Sequence, residues 1–505
     1  MKRDKTIKST EELLKEKEQI IKQKNQFIMH LQAKVDFLSR QRFSSSSEKF
    51  SNQPSLFEAE EIPIEIEDDI EELKPLKKKK GGGRKRPPES LPHIRVEHDF
   101  PKDEKICSCG CGMKRIKEIA TQQYDVVPAS FRVIENIRFV YACECNCGEK
   151  LKTSPLTPQV LPQTQVTPSF LATIAVQKFE DALPLERQAN IYKKRFGIEF
   201  TTTTLSNWMI KTSQLRLQPL IDKLSKMQMH SGYIHADETT LQVLREKNKK
   251  AQSKSYIWLR VSHKEHPIVL MNYSATRGSI TAEKLFEDFQ GYLHTDGYPG
   301  YNSVAQQEGI TQLGCWAHVR RKFADILKYK YDENSKKLAT KAIEFIAKLY
   351  KIEKEIKDKP PNEKYEIRQE KSAPIIDTIE QWTQTQEVTS VFSKSKIYEA
   401  FRYLTNQLPK LSVYLQNGKL NIDNNPAENH VRPIAIGRKN WLFATSVKGA
   451  HALTNWYSII ETAKANDVVP FKYLEYLLTQ IPIFQAEKRD IEELFPWNVK
   501  DILEL

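Results

Sequence analysis

A chain of 505 residues is long enough for roughly three or four domains of about 100–200 residues each, which excludes a single small module. Hydrophobic residues make up 39% and charged residues 28%, a balance that excludes global disorder and collagen-like repeats and leaves ample apolar material for packed cores. Lys and Arg outnumber Asp and Glu by 78 to 65, a net charge of +13, and such a field favours polyanions such as nucleic acid. No apolar run approaches the roughly 18 residues of a membrane helix, and the opening MKRDKTIKSTEELLKEK has no apolar export region. The expectation is a cytoplasmic protein with no membrane partner.

Residues 1–43 read as a coiled-coil helix. Leu14, Ile21, Ile28 and Val35 recur every seventh residue, and Leu31 and Leu38 fill the companion positions of the last two heptads, where the first two have Lys17 and Lys24. The seam is complete only toward its C-terminal end, and self-association competes with packing on the protein's own surface. Residues 44–100 lose periodicity: SSSS, an acidic stretch from Glu58 to Glu72, then Lys77 to Lys80, three glycines and Arg84-Lys85-Arg86. This is a flexible linker whose basic run can touch phosphates.

Six of the seven cysteines form two triplets, Cys107, Cys109, Cys111 and Cys143, Cys145, Cys147. Without an export signal such clusters read as metal ligands before disulfides. The segments QQYDVVPASF and RVIENIRFVYA between them are strand-like, so residues 101–152 are expected to form a small zinc-binding β module. Zinc takes four thiolates in a tetrahedron, and four of these six would supply them; the C-x-C-x-C spacing leaves open which.

Residues 153–230 read as a helical domain with a helix-turn-helix layout. One helix ends near Arg195, Gly197 supplies the turn, and Thr202 or Thr203 caps a second helix with Leu205, Trp208 and Met209 turned inward. Its outward Thr204, Asn207 and Lys211 are candidate DNA contacts.

From residue 232 the period changes to two. GYIHADETTLQVL, SYIWLRVSH and PIVLMNYSATR are strand-like, TAEKLFEDFQ is helical, GYLHTDGYPGYN is a fourth strand and turn, and ITQLGCWAHV is a fifth strand entering a helix. That order belongs to a ribonuclease-H-like α/β core, with residues 231–321 as its first part. Asp237 lies within the first strand on the face of Tyr233 and His235, and Asp296 ends the fourth; in that fold the two strands are neighbours. Phosphodiester hydrolysis needs an activated water and a neutralised leaving oxygen, and two divalent ions held by hard oxygen ligands supply both. A third carboxylate comes from NIDNNPAENHVRPIAIGRKNWLFATS as Glu428. The same residue also fits a capping box that merely satisfies the backbone of Asn425, so both roles stand on the residues alone. Asp423 and Glu238 are fallback ligands, although Glu238 points to the opposite face from Asp237. His430, Arg432, Arg438 and Lys439, with Trp441 and Phe443, suit a DNA strand that is gripped and stacked.

ADETTLQVL, HTDGYPGYN, GCWAHVRRKF and NNPAENHVRPIAIGRKNWLFATS, in that order, resemble the transposases of bacterial insertion sequence sixty-six, the TnpC type. The likeness runs from the heptads and RQRFSSSSEKF to the tail YSIIETAKANDVVPFKYLEYLL. It implies that Asp237, Asp296 and Glu428 are the DDE triad of a ribonuclease-H-like nuclease and strand transferase, holding two Mg2+ ions, with Mn2+ as the alternative. It also implies that residues 322–420 are an all-helical insertion between the fifth strand and the glutamate helix, that residues 421–466 complete the core, and that residues 467–505 form a helical tail. Cys315 and His318, in CWAH, match a motif that related enzymes place near the active site, and His318, Arg320 and Arg321 are candidate DNA contacts. There Cys315 and His318 read as a buried thiol and a phosphate-contacting imidazole, with a zinc pair as the alternative. The whole is a multidomain α+β chain expected to bind the terminal inverted repeats of its element and target DNA as double strands, to work as at least a dimer, and to use small accessory proteins of the same element. A DNA-binding regulator or a domesticated, inactive copy is the rival reading, and a nuclease without strand transfer a second.

Overall fold

A computed structural model describes residues 129–141, 151–262, 265–328, 331–391, 393 and 395–504, together with Lys17, Lys24 and Ile28, which are helical. The linker, all six clustered cysteines and the rest of the expected coiled coil lie outside the described residues. The chain divides into two compact units, one of them Glu60–Ile137, of which residues 129–137 are described and have no regular secondary structure. The other takes in Arg138–Leu505 and holds the sheet and the helices packed on it. No helix among the described residues is long and apolar enough to cross a membrane.

From Arg138 onward the chain is mixed α and β with a helical majority. A two-stranded ribbon pairs β1 (Val140–Tyr141) with β2 (Lys152–Thr153). The strand expected over RVIENIRFVYA is therefore shorter than its composition suggests. Its pairing begins only where the Phe139 N–H meets the Ser154 hydroxyl at 3.0 Å, and Val133, Ile134 and Ile137 before it are exposed.

Helices α1 (Pro168–Phe179), α2 (Leu185–Phe196) and α3 (Thr202–Thr212) come next. Gly197 ends α2 at φ +70°, a conformation glycine adopts without a Cβ penalty. The cap of α3 is Thr201, one residue earlier than expected, because its hydroxyl accepts the Thr204 N–H at 3.0 Å. Leu205, Trp208 and Met209 are buried, whereas Asn207 and Lys211 are exposed and Thr204 is half-buried. A π-turn, Ser213–Leu217, carries α3 into α4 (Gln218–Met229). Pro219 explains it: lacking an N–H, it leaves the carbonyl four residues back without its helical donor, and the Gln485 side chain donates to that Leu215 oxygen at 3.1 Å instead.

The sheet runs β5 (Ile268–Ser274), β4 (Lys254–Ser262), β3 (Tyr233–Arg245), β6 (Gly291–His294), β7 (Ile310–Leu313), and a short β8 (Ala444–Ser446) pairs in parallel with the far end of β3. β3 pairs antiparallel with β4 and parallel with β6, so the sheet is mixed and β3 is central. Helix α5 (Ser279–Leu285) and the short α6 (Asn302–Ala305) connect the later strands. On one face Ile234, Ala236 and Trp258 pack with Phe286, Phe289 and Tyr301. On the other, Leu241, Val243, Ile257 and Leu259 join the core of α13 (Asn425–Trp441) and α14 (Val447–Ala465). The edge strand β5 is covered by α14. Ser458 and Thr462 accept the N–H groups of Met271 and Val269 at 2.8 and 3.1 Å, which removes donors another chain would otherwise pair with.

Between Cys315 and Ile422 the chain makes a helical excursion with its own core. Helices α7 (Trp316–Leu327), α8 (Glu333–Glu355), α9 (Pro361–Ile367), α10 (Ala373–Thr383), α11 (Gln386–Thr389) and α12 (Lys396–Leu411) bury Phe323, Ile346, Trp382, Phe401 and Leu404 together. The excursion starts and ends at one place. Gly314 N–H bonds to the Lys410 carbonyl at 3.0 Å, and Trp316 N–H to the Ile422 carbonyl at 3.3 Å. Arg368, almost wholly buried, fixes the returning loop: its donors reach both Glu353 oxygens and the carbonyls of Tyr414, Asn417 and Leu420. Helices α15 (Pro470–Glu487) and α16 (Pro496–Glu504) complete the chain.

Candidate functional site

Strand register sets the first two carboxylates. β3 and β6 pair as Tyr233 with Tyr292, Ile234 with Leu293 and His235 with His294; continued two residues, the same register puts Asp237 opposite Asp296. Asp296 lies two residues beyond β6 rather than within it. Because side chains alternate along a strand, both carboxylates share the face of His235 and His294.

Two stacked imidazoles lie beside them. His235 and His294 stack at 4.8 Å. His294 accepts from the Tyr233 hydroxyl at Nδ1 and donates to the Gly314 carbonyl at Nε2, each at 3.0 Å, and burial lowers its pKa to about 3. Tyr233 Oη in turn accepts the Asn421 N–H at 3.1 Å. The chain leaving the sheet and the chain returning to it are thus tied to one ring pair.

The third carboxylate arrives on α13. Asn424, fully buried just before it, donates to the Ala236 carbonyl at 2.8 Å, accepts from His235 Nδ1 at 2.8 Å, and sends its own N–H to Cys315 Sγ at 3.2 Å. These bonds hold the start of the helix against β3. The Asn425 N–H is satisfied by Asp423 at 3.2 Å, so the Glu428 side chain does not cap its helix. Its Oε2 accepts from Arg321 at 3.1 Å. Its Oε1 is buried without a hydrogen-bond partner among the described residues and faces His318 Nδ1, equally unpartnered, at 3.5 Å.

The electrostatics join the three. Burial, then the charges of Glu238, Asp296 and Glu428, hold the Asp237 carboxyl well above the usual range. Burial also raises Glu428, with Asp296 adding to the shift and Arg321 opposing it. Three carboxylates within mutual electrostatic influence, only one of them bonded to a cation among the described residues, make a concentration of negative charge whose oxygens would suit a divalent ion. The donor set fits hard cations. Cys315, His318 and Glu428 also place one ligand atom each within 4.8 Å of one another. Burial pushes the Cys315 thiol far up, and His318 down to about 4, so the sulfur remains a protonated thiol that accepts the Asn424 N–H.

The fallback ligands are engaged elsewhere. Glu238 faces the other side of the sheet and accepts from Arg277 Nε and the Tyr301 hydroxyl, both at 2.7 Å. Asp423 accepts from Tyr350 at 3.0 Å as well as from Asn425.

Of the other candidate DNA contacts, Arg432 and Lys439 are exposed, and Arg320 and Arg321 partly so. His430 bonds buried Glu461 at 2.8 Å, and Arg438 ties α13 to β3 through Thr239 and Thr240. The stacking role expected of Trp441 is corrected by its burial: its ring lies in the core at 8% exposure, with the Lys178 ammonium 5.7 Å over it. Leu442 and Phe443 occupy the surface instead.

Sequence reasoning missed Tyr403 of α12. Its hydroxyl donates to the Asp296 carbonyl at 2.5 Å, and the Asp296 carboxylate accepts the Tyr298 N–H at 2.9 Å. Gly297 between them has φ +84°, and a Cβ there would sit 2.9 Å from the Gln407 side chain. No local pattern marks a tyrosine 107 residues downstream as a partner; the presence of glycine after Asp296 is the one available hint of a close approach.

Comparison with known proteins supplies the family. The "Transposase IS66 family" profile matches residues 163–452, and "IS66 C-terminal element" matches 458–497. "Zinc-finger binding domain of transposase IS66" matches 104–148, which contains all six clustered cysteines and supports structural zinc. "Transposase C of IS166 homeodomain" matches 30–96. Two similar proteins come from Sinorhizobium fredii (strain NBRC 101917 / NGR234). Uncharacterized protein y4qI is 33% identical over 80% of this chain and 75% of its own length. Uncharacterized protein y4hP is 29% identical over 83% and 78%. Matched over more than half its length by the family's central profile, the chain belongs to the IS66 family of transposases.

Proposed function

We propose that this transposase binds the terminal inverted repeats of its element as double-stranded DNA, cuts the DNA ends and joins them to target DNA. The reading is carried by the register that puts Asp237 opposite Asp296, and by the Asp237 carboxyl, raised first by burial and then by the charges of Glu238, Asp296 and Glu428. The sheet order β5-β4-β3-β6-β7 supports a ribonuclease-H-like core, with residues 231–321 and 421–466 as its two parts and residues 322–420 as the insertion.

Two Mg2+ or Mn2+ ions held by these three carboxylates would activate the attacking oxygen and neutralise the leaving one. The chain's own groups set the stage. The β3–β6 register sets Asp237 and Asp296, Asn424 fixes the helix that brings Glu428, and Arg321 bonds its carboxylate at 3.1 Å. Arg320, Arg432 and Lys439 are read as phosphate contacts. Water attack on a phosphodiester leaves a 3′ hydroxyl; that hydroxyl then attacks a target phosphodiester, so one P–O bond replaces another and no energy source is needed. Thr204, Asn207 and Lys211 of α3 are read as contacts to the repeats, and four of Cys107, Cys109, Cys111, Cys143, Cys145 and Cys147 as zinc ligands. Assembly as at least a dimer, with accessory proteins of the element, belongs to the same reading.

The test incubates the full chain with duplexes carrying the inverted repeats that flank its gene, a target plasmid and Mg2+. Nicked ends and joined products are expected from the wild type and neither from Asp237→Asn, which keeps size and removes charge. Equal cutting by that variant rejects the triad; repeat binding without any cutting by the wild type favours a regulator, and broken ends without joined products favour a plain nuclease.

A further inference from the structure

The helix that carries Glu428 ends in a turn most side chains avoid. After buried Trp441, Leu442 takes φ +62° and ψ −53°, and the Phe443 N–H donates to the Trp441 carbonyl at 2.8 Å. This is a γ-turn of the rare positive-φ kind, strained for any residue with a Cβ. Such strain persists only where the surroundings hold both sides. Here Leu442 N–H bonds to the Arg438 carbonyl at 2.9 Å, Trp441 is locked in the core, and β8 pairs at once with Val243 and Arg245. The outcome is an apolar pair turned to solvent, Leu442 at 60% and Phe443 at 39% exposure.

The surroundings are cationic. Lys439 and Lys448 flank the turn along the chain, and Arg245, Lys247, Lys250 and Lys254 lie on the β3–β4 hairpin, whose first strand pairs with β8. All six are exposed, and none has an ion-pair partner among the described residues. The one acid of its turn, Glu246, is already engaged by Lys249 at 3.2 Å.

We propose that Leu442 and Phe443 form a wedge that inserts at a base step of the duplex whose end lies at the carboxylates. The inference rests on the reading of this protein as a DNA-cutting transposase. Apolar side chains between base steps unstack and kink a duplex, and cations on either side hold the bent phosphates. The unpaired cations favour this partner over an apolar protein surface, against which they would be desolvated without compensation. Leu442 is 14 residues beyond Glu428 on one helix, about 21 Å at 1.5 Å per residue. For a duplex lying along that helix the distorted step falls about six base pairs from the scissile phosphate, at roughly 3.4 Å each.

The experiment uses the full chain and duplexes of the flanking inverted repeats, with a fluorescent adenine analogue moved one position at a time away from the cleavage site and Ca2+ in place of Mg2+ to hold back cutting. The wild type is expected to brighten the analogue near one step, about six positions in. Leu442→Ala combined with Phe443→Ser should abolish that signal and, with Mg2+ restored, slow cutting by about tenfold, and a mismatch placed at the same step should restore cutting, because the unstacking is then already done. Leu442→Gly, which relieves the backbone and deletes the side chain, should melt no lower than the wild type yet show the same loss. Uniform darkness at every position while the wild type cuts its ends overturns the wedge and leaves the transposase reading intact. So does an unchanged optical signal accompanied by a fall in the variant's molecular mass, which would assign the surface to a second copy of the chain. A wild type that neither binds nor cuts the repeats overturns both.

Discussion

Asp237 and Glu238 are neighbours in one strand, yet the two faces of the sheet treat them oppositely. Behind the sheet, Glu238 meets Arg277 and Tyr301 and its charge is neutralised by the protein. In front, Asp237 feels the charges of Asp296 and Glu428; it accepts the Glu238 N–H at 2.8 Å and has no cationic partner among the described residues. Two carboxylates of similar intrinsic acidity thus become a structural pin and, on the proposed reading, an ion-binding site through a single step in the pleat. A compensated charge holds the fold; an uncompensated one marks where something else must bind.

Substitutions on the two faces should separate these roles. Glu428→Gln is expected to cut cleavage and joining by about a thousandfold or more, roughly 4 kcal/mol of barrier, while the melting temperature without metal stays level or rises, since mutual repulsion falls. Calorimetric melting beside an end-cleavage assay reads both halves, and a variant that loses stability in step with activity would erase the distinction. Arg277→Ala should do the reverse: Glu238, left buried without its cation, is expected to cost about 3 kcal/mol of stability, with cleavage retained at temperatures where the variant is folded.

The difference between the faces is partly visible in the sequence. Period two over residues 232–274 announces β3, β4 and β5, and alternation alone puts Glu238 behind Asp237. The reach of Asp296 and Glu428 toward Asp237 depends on topology, which the order of elements suggests. What stays hidden depends on partners distant in the chain. Asn424 reads as one more asparagine in NIDNNPAEN until Ala236, His235 and Cys315 surround it, and Arg321 reads as a DNA contact until Glu428 lies beside it. Trp441 misleads because a helix sandwiched between β3 and α14 buries a face that, in isolation, looks basic and wet. Tyr403 is an ordinary residue of an amphipathic helix, and only the fold carries it to Asp296.

Smaller effects refine the comparison. Mn2+ at a hundredfold its dissociation constant should stabilise the wild type by about 2.7 kcal/mol through mass action; Asp237→Asn should lose most of that gain and Arg277→Ala none, as followed by thermal shift. Tyr403→Phe removes one hydrogen bond at the Asp296 carbonyl, worth about 1 kcal/mol. It should raise the Mn2+ concentration needed for half-maximal thermal shift by several-fold while lowering the melting temperature in a chelator by only a few degrees, and Gln407→Ala, which touches the same loop without that bond, should raise it less.

The bonds that join Gly314 to Lys410 and Trp316 to Ile422 make the helical excursion a detour with a common doorway. A detour of that kind can grow, shrink or be exchanged among related elements without moving the sheet that precedes it or the glutamate helix that comes after. Its freedom is limited where it touches the chain on either side: Tyr403 at the Asp296 carbonyl, Tyr350 at Asp423 and Lys410 at Asn302.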